Sequence, residues 1–126
     1  MSTFFIVPYE PTTWKTAKYD LEIDPKWYKT QLTSTWPNVQ FFDSNPTIFT
    51  LVWHIITIEG NGPITNLHRE QPIISMSAPF VEYILWHRTV ILENHTLFLT
   101  SDISSNSIEL KTSTTTENIQ EYLIHC

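Results

Sequence analysis

The chain has 126 residues, of which 41% are hydrophobic, 13% aromatic and 16% charged, with a net charge of −6. This length fits one domain over 1–126 with a core of its own, and the aromatic content excludes a disordered chain. No apolar run reaches the roughly 18 residues of a spanning helix, so no membrane association is expected.

Seven cations face thirteen acids. Nucleic-acid binding needs clustered Lys and Arg, and the one local group, Lys15, Lys18, Lys26 and Lys29, is cancelled by Asp20, Glu22 and Asp24. No nucleic-acid partner is expected. The single cysteine, Cys126, allows no intrachain disulfide. The apolar stretch Phe4-Phe5-Ile6-Val7 lacks the preceding charge and cleavage site of a signal peptide. Together these features predict a cytoplasmic protein. Eighteen threonines and fifteen isoleucines favour strands, and two glycines leave no phosphate-cradling loop.

In chain order, residues 3–8 form a first strand. Pro8 and Pro11 break it, and 9–23 read as an irregular, proline-containing arm. Asp24 and Pro25 start a helix that stops before Pro37, with Tyr28, Leu32 and Trp36 as its buried stripe. Trp27 lies off that stripe. Residues 39–43 form a short strand, and Ser44-Asn45-Pro46 a turn. Residues 47–59 form the longest strand, apolar on both faces, and so central and covered on both sides. Gly60-Asn61-Gly62 reads as a hairpin turn, followed by strands at 64–68 and 72–76 in a three-stranded meander. A second helix runs from Pro79 to Arg88 or one turn beyond. Strands at 96–101 and 107–112 follow. Thr114 and Glu117 resemble a capping box for a last helix whose Ile119, Tyr122 and Leu123 face inward. The class is α+β: a mainly antiparallel sheet of five to seven strands with two or three helices on it.

Candidate sites follow from residues that break this pattern. Arg88 falls within the apolar side of the second helix. It either floors an anion or carboxylate site, with His87 or His54 as its acid/base neighbour, or ends the helix and bonds its last carbonyls. The β-branched run Thr89-Val90-Ile91 favours the second reading. The supposed outer side of that helix carries Tyr83 and Trp86, residues that suit an interface. Trp53 on the longest strand and Trp27 are further interface candidates. Trp14, Trp27 and Tyr19 border the arm and either line a groove or pin the arm to the sheet. Pinning is the stronger expectation, because an arm must bury such rings. Five irregularly spaced histidines imply no metal, no cofactor motif is present, and no Gly-x-Ser-x-Gly turn or close carboxylate pair marks catalysis. The sequence therefore points to a small non-catalytic binding domain, an accessory or regulatory factor that contacts another protein or a second copy of itself. The alternative is a ligand-binding or enzymatic domain that holds a small anion at Arg88.

Overall fold

A computed structural model describes residues 3–42, 48–103 and 106–125. Among the described residues nine strands form: β1 (Phe4–Val7), β2 (Gln40–Phe42), β3 (Phe49–His54), β4 (Ile56–Thr57), β5 (Gly60–Asn61), β6 (Thr65–His68), β7 (Ile74–Met76), β8 (Phe98–Ser101) and β9 (Ser107–Glu109). The helices are α1 (Pro25–Thr35), α2 (Val81–Val90) and α3 (Thr116–Ile124). Seven strands make one antiparallel sheet in the order β2-β3-β6-β7-β1-β8-β9, and β4-β5 form a separate small hairpin. The α+β class follows directly.

Registers set the two faces of the sheet. Ile6 lies opposite Leu99 and Ile74, Leu67 opposite Ile74 and Leu51, and Trp53 opposite Phe41. Successive side chains alternate, so these residues share one face. Ile6, Leu67, Ile74, Leu99 and Trp53 are buried in one cluster with Tyr28 and Leu32 of α1, Tyr83 and Ile84 of α2, and Ile119 of α3. The opposite face carries Phe5, Asn66, Ser75 and Thr100, and no helix packs there among the described residues.

The helix starts follow local chemistry. Asp24 caps α1 by accepting from the Lys26 N–H, and Pro25 takes the first helical position, where no N–H is needed. Thr115 and Asn118 cap α3 reciprocally, at 3.1 and 2.9 Å. The box is thus one residue later than the Thr114–Glu117 spacing suggests. Thr114 instead accepts the Lys111 N–H at 2.8 Å and closes the preceding turn.

Three expectations are corrected. The longest strand ends at His54, and a short hairpin follows, with Gly60–Asn61 as its returning strand rather than its turn. The Gly62 N–H reaches the Ile55 carbonyl at 2.6 Å, and a Cβ there would lie 3.0 Å from that oxygen and 2.9 Å from the Phe80 ring. Any larger residue would have to displace the Phe80 ring or the Ile55 carbonyl. Nor is β3 central: it lies second from an edge, and β7, buried along its whole length, is the middle strand. Helices cover only the Trp53 side of β3. On its other side Phe42 of the edge strand lies edge-on against His54, with ring centroids 4.9 Å apart. The Ser44-Asn45-Pro46 turn lies outside the described residues.

Candidate functional site

The aromatic residues divide between a sealed interior and an open groove. The interior lies between α1, α2 and β3. Tyr28 contacts the rings of Trp53, Trp86 and His87, and Trp36 of α1 closes on Tyr83 and Trp86 of α2. The Trp86 indole N–H donates to Thr35 Oγ1 at 2.9 Å. Tyr83 is 1% exposed, and Tyr28, Trp53 and His87 are 0% exposed. Tyr83 and Trp53 are therefore not an open interface, and Trp86 is half-buried against Tyr28 and Trp36. The side of α2 taken as outward is covered by α1, whose stripe of Tyr28, Leu32 and Trp36 needs an apolar partner. Trp27 is the one of the four interface candidates that stays exposed.

Within this interior the Tyr28 hydroxyl lies 2.5 Å from that of Tyr83 and 2.7 Å from His87 Nδ1. With His87 Nδ1 accepting, the Tyr28 O–H donates to it and the Tyr83 O–H donates to Tyr28; with Nδ1–H donating, the Tyr28 O–H turns to Tyr83, and in either order one of the three donors is left over. Among the described residues His87 Nε2, Trp53 Nε1 and Arg88 Nε are buried without a partner. Burial first, and the neighbouring Arg88 charge second, lower the His87 pKa to about 3, so its imidazole is neutral. Burial likewise raises both tyrosines well above their usual value. The sequence spacing of Tyr28, Tyr83 and His87 gave no sign of this network, because its members come from two helices 55 residues apart.

Arg88 is buried and serves carbonyls. Nη1 donates to His95 at 2.8 Å and Leu110 at 3.2 Å, and Nη2 donates to Ile91 at 3.1 Å and Leu92 at 2.7 Å. All four terminal N–H bonds are thus used in tying the end of α2 to the segment before β8 and the strand end after β9. Burial lowers its pKa, and Glu93 and Glu109 oppose that shift. The cavity beside it, about 170 Å³, is walled by those same two acids. This is the helix-end arrangement. His87 points into the aromatic interior instead, and His54 bonds Gln40 at 2.9 Å on the other sheet face. The three residues of the anion reading do not converge.

The open groove lies on the helix-free face of the sheet. A cavity of about 580 Å³ is lined by Phe5, Val7, Tyr9, Pro11, Trp14 and Ile73, with Asp102 at its edge. Its wall is the arm. Glu10 caps a single 3-10 turn at Pro11–Thr13, Tyr9 and Tyr19 stack at 5.8 Å, and Leu21 is buried in the core. The arm is therefore anchored at Leu21 and closed on itself by its tyrosines. Trp14 remains 65% exposed, so it rims the groove and does not pin the arm. A second cavity of about 350 Å³ shares His68 and Gln71 with the first and is lined further by Ile23, Leu67 and Pro72. Burial lowers the His68 pKa, so that ring is neutral at pH 7.

Compared with family models, curated proteins and solved structures, the chain matches none of them. Among the described residues no group of three metal-ligating side chains converges, and no helix is long and apolar enough to cross a membrane.

Proposed function

We propose that this chain is a small non-catalytic binding module, an accessory or regulatory factor of the cytoplasm, that works by contacting another protein through the groove between the arm and the sheet. One observation carries this reading. The chain seals Trp53 completely, yet leaves the Trp14 indole 65% exposed at the rim of an apolar cavity of about 580 Å³. An exposed large aromatic beside a concave apolar surface is what an interface anchor requires. Two competing readings have less support. The titratable Tyr28–Tyr83–His87 network is closed to substrate, and the Arg88 guanidinium has its terminal donors on carbonyls.

The test is affinity capture from native lysate. The tag belongs at the C-terminal end, because the Thr3 N–H bonds Asp102 at 2.9 Å, and Asp102 lines the groove. Wild type recovers a near-equimolar partner, Trp27→Ala retains it, and Trp14→Ala loses it. A partner held equally by Trp14→Ala overturns the proposal, and so does recovery of the chain alone when the purified chain is monomeric. Light scattering of the purified chain shows whether that partner is a second copy.

A further inference from the structure

We infer that the groove accepts a cationic, proline-rich segment in the polyproline II conformation. The inference rests on the groove being the partner-binding face and adds the chemistry of what it holds.

Charge selects a cationic partner. The two neighbouring cavities, which meet at His68 and Gln71, are lined by three acids, Asp102 in one and Glu22 and Glu70 in the other, and by no lysine or arginine. Glu70 is held there at φ 66, a left-handed conformation that side chains rarely adopt. The chain as a whole carries −6. The Trp14 ring is itself a cation acceptor, since Lys15 Nζ lies 5.5 Å from its centroid. A lysine or arginine at each end of an apolar segment meets the acids of both cavities.

Backbone geometry selects the conformation. The floor strands β1 and β8 are each paired on both sides, so the groove runs over a sheet face and not along a free edge. A bound segment gains no ladder of backbone hydrogen bonds there and must hold its own shape. Polyproline II does so with a solvated backbone and little ordering entropy left to lose. Tyr9, Pro11 and Trp14 offer the flat apolar surfaces against which proline rings stack.

Isothermal titration calorimetry with three synthetic peptides tests this. The first carries lysines at both ends of a Pro-Leu-Pro-Pro-Leu-Pro core. The second has glutamates for the lysines, and the third glycines for the prolines. The first binds saturably, with a Kd on the order of 100 µM. The second and third bind at least about tenfold more weakly, and added salt weakens the first. Trp14→Ala removes binding, and Glu70→Gln weakens it about threefold while leaving the fold intact. Absence of saturable binding by the first peptide, equal binding by the glutamate or glycine peptide, or full binding by Trp14→Ala each overturns the inference. If Trp14→Ala loses a captured partner while no peptide binds, the groove is a docking face and the cationic proline-rich occupant is wrong.

Discussion

The Tyr28 hydroxyl on α1 lies 2.7 Å from His87 Nδ1 on α2, in an interior without solvent. It is also 2.5 Å from the Tyr83 hydroxyl, so one oxygen links three buried polar groups. Tyr28→Phe removes that link and leaves two of them unpaired. A cost of about 2–4 kcal/mol is expected. Tyr83→Phe leaves the Tyr28–His87 bond in place and costs about 1–2 kcal/mol. Urea denaturation of both variants checks the order; equal losses would mean that Tyr28 is not the centre of the network.

His87 sets an acid limit. In the unfolded chain it takes up a proton below about 6.5, whereas the folded chain resists until about 3. The unfolded state binds more protons between these values. Stability therefore falls as pH drops from about 6.5 towards 3, by at most about 1.4 kcal/mol per pH unit from this residue. His68, also lowered by burial, acts in the same direction. The tyrosines act at the other extreme: unfolded Tyr28 and Tyr83 ionise above about 10, so stability is lost in strong base. Denaturation curves at pH 7, 5.5 and 4.5 show the acid slope in wild type and a flatter one in His87→Leu.

Arg88 is expected to behave as a tie between chain segments. Arg88→Lys provides a point charge in place of a planar fork and cannot reach four carbonyls, so it costs about 2–4 kcal/mol. Sulfate and phosphate stabilise wild type no more than the variant. Anion-dependent stabilisation of wild type alone would restore the anion reading.

Trp14 and Trp53 make opposite predictions for stability. Trp53→Ala empties the interior and costs about 3–5 kcal/mol. Trp14→Ala, at an exposed position, stays within about 0.5 kcal/mol of wild type. Thermal unfolding of both separates a core aromatic from an exposed one.

Local chemistry was legible in the sequence, and layer assembly was not. Asp24-Pro25 and Pro37 marked α1 because capping and proline sterics act within a few residues. The meander was readable because β3, β6 and β7 follow in chain order with only the small β4-β5 hairpin between them. By contrast, β1 inserts between β7 and β8, a pairing no local pattern encodes. The same limit hid the cover over Tyr83. The apolar outer side of α2 has two solutions, an external partner or a second helix of the same chain. Periodicity cannot choose between them, and here α1 covers it. Arg88 was readable as a helix end because the β-branched run after it disfavours continuation. The Trp14 groove was visible only as one of two readings, because whether an arm buries its rings depends on where it is anchored. Leu21 and the Tyr9–Tyr19 stack provide that anchor without Trp14.

The most direct test of the groove uses the indole region of a 1H–15N spectrum, where each of the five tryptophans gives one signal. On addition of the lysine-flanked proline peptide, the Trp14 signal moves with a saturable dependence. Those of Trp53 and Trp86 stay in place, and the Trp53 proton exchanges slowly in deuterated water. A stationary Trp14 signal at saturating peptide, or shifts confined to Trp53 and Trp86, would contradict the assignment of the binding face to the groove.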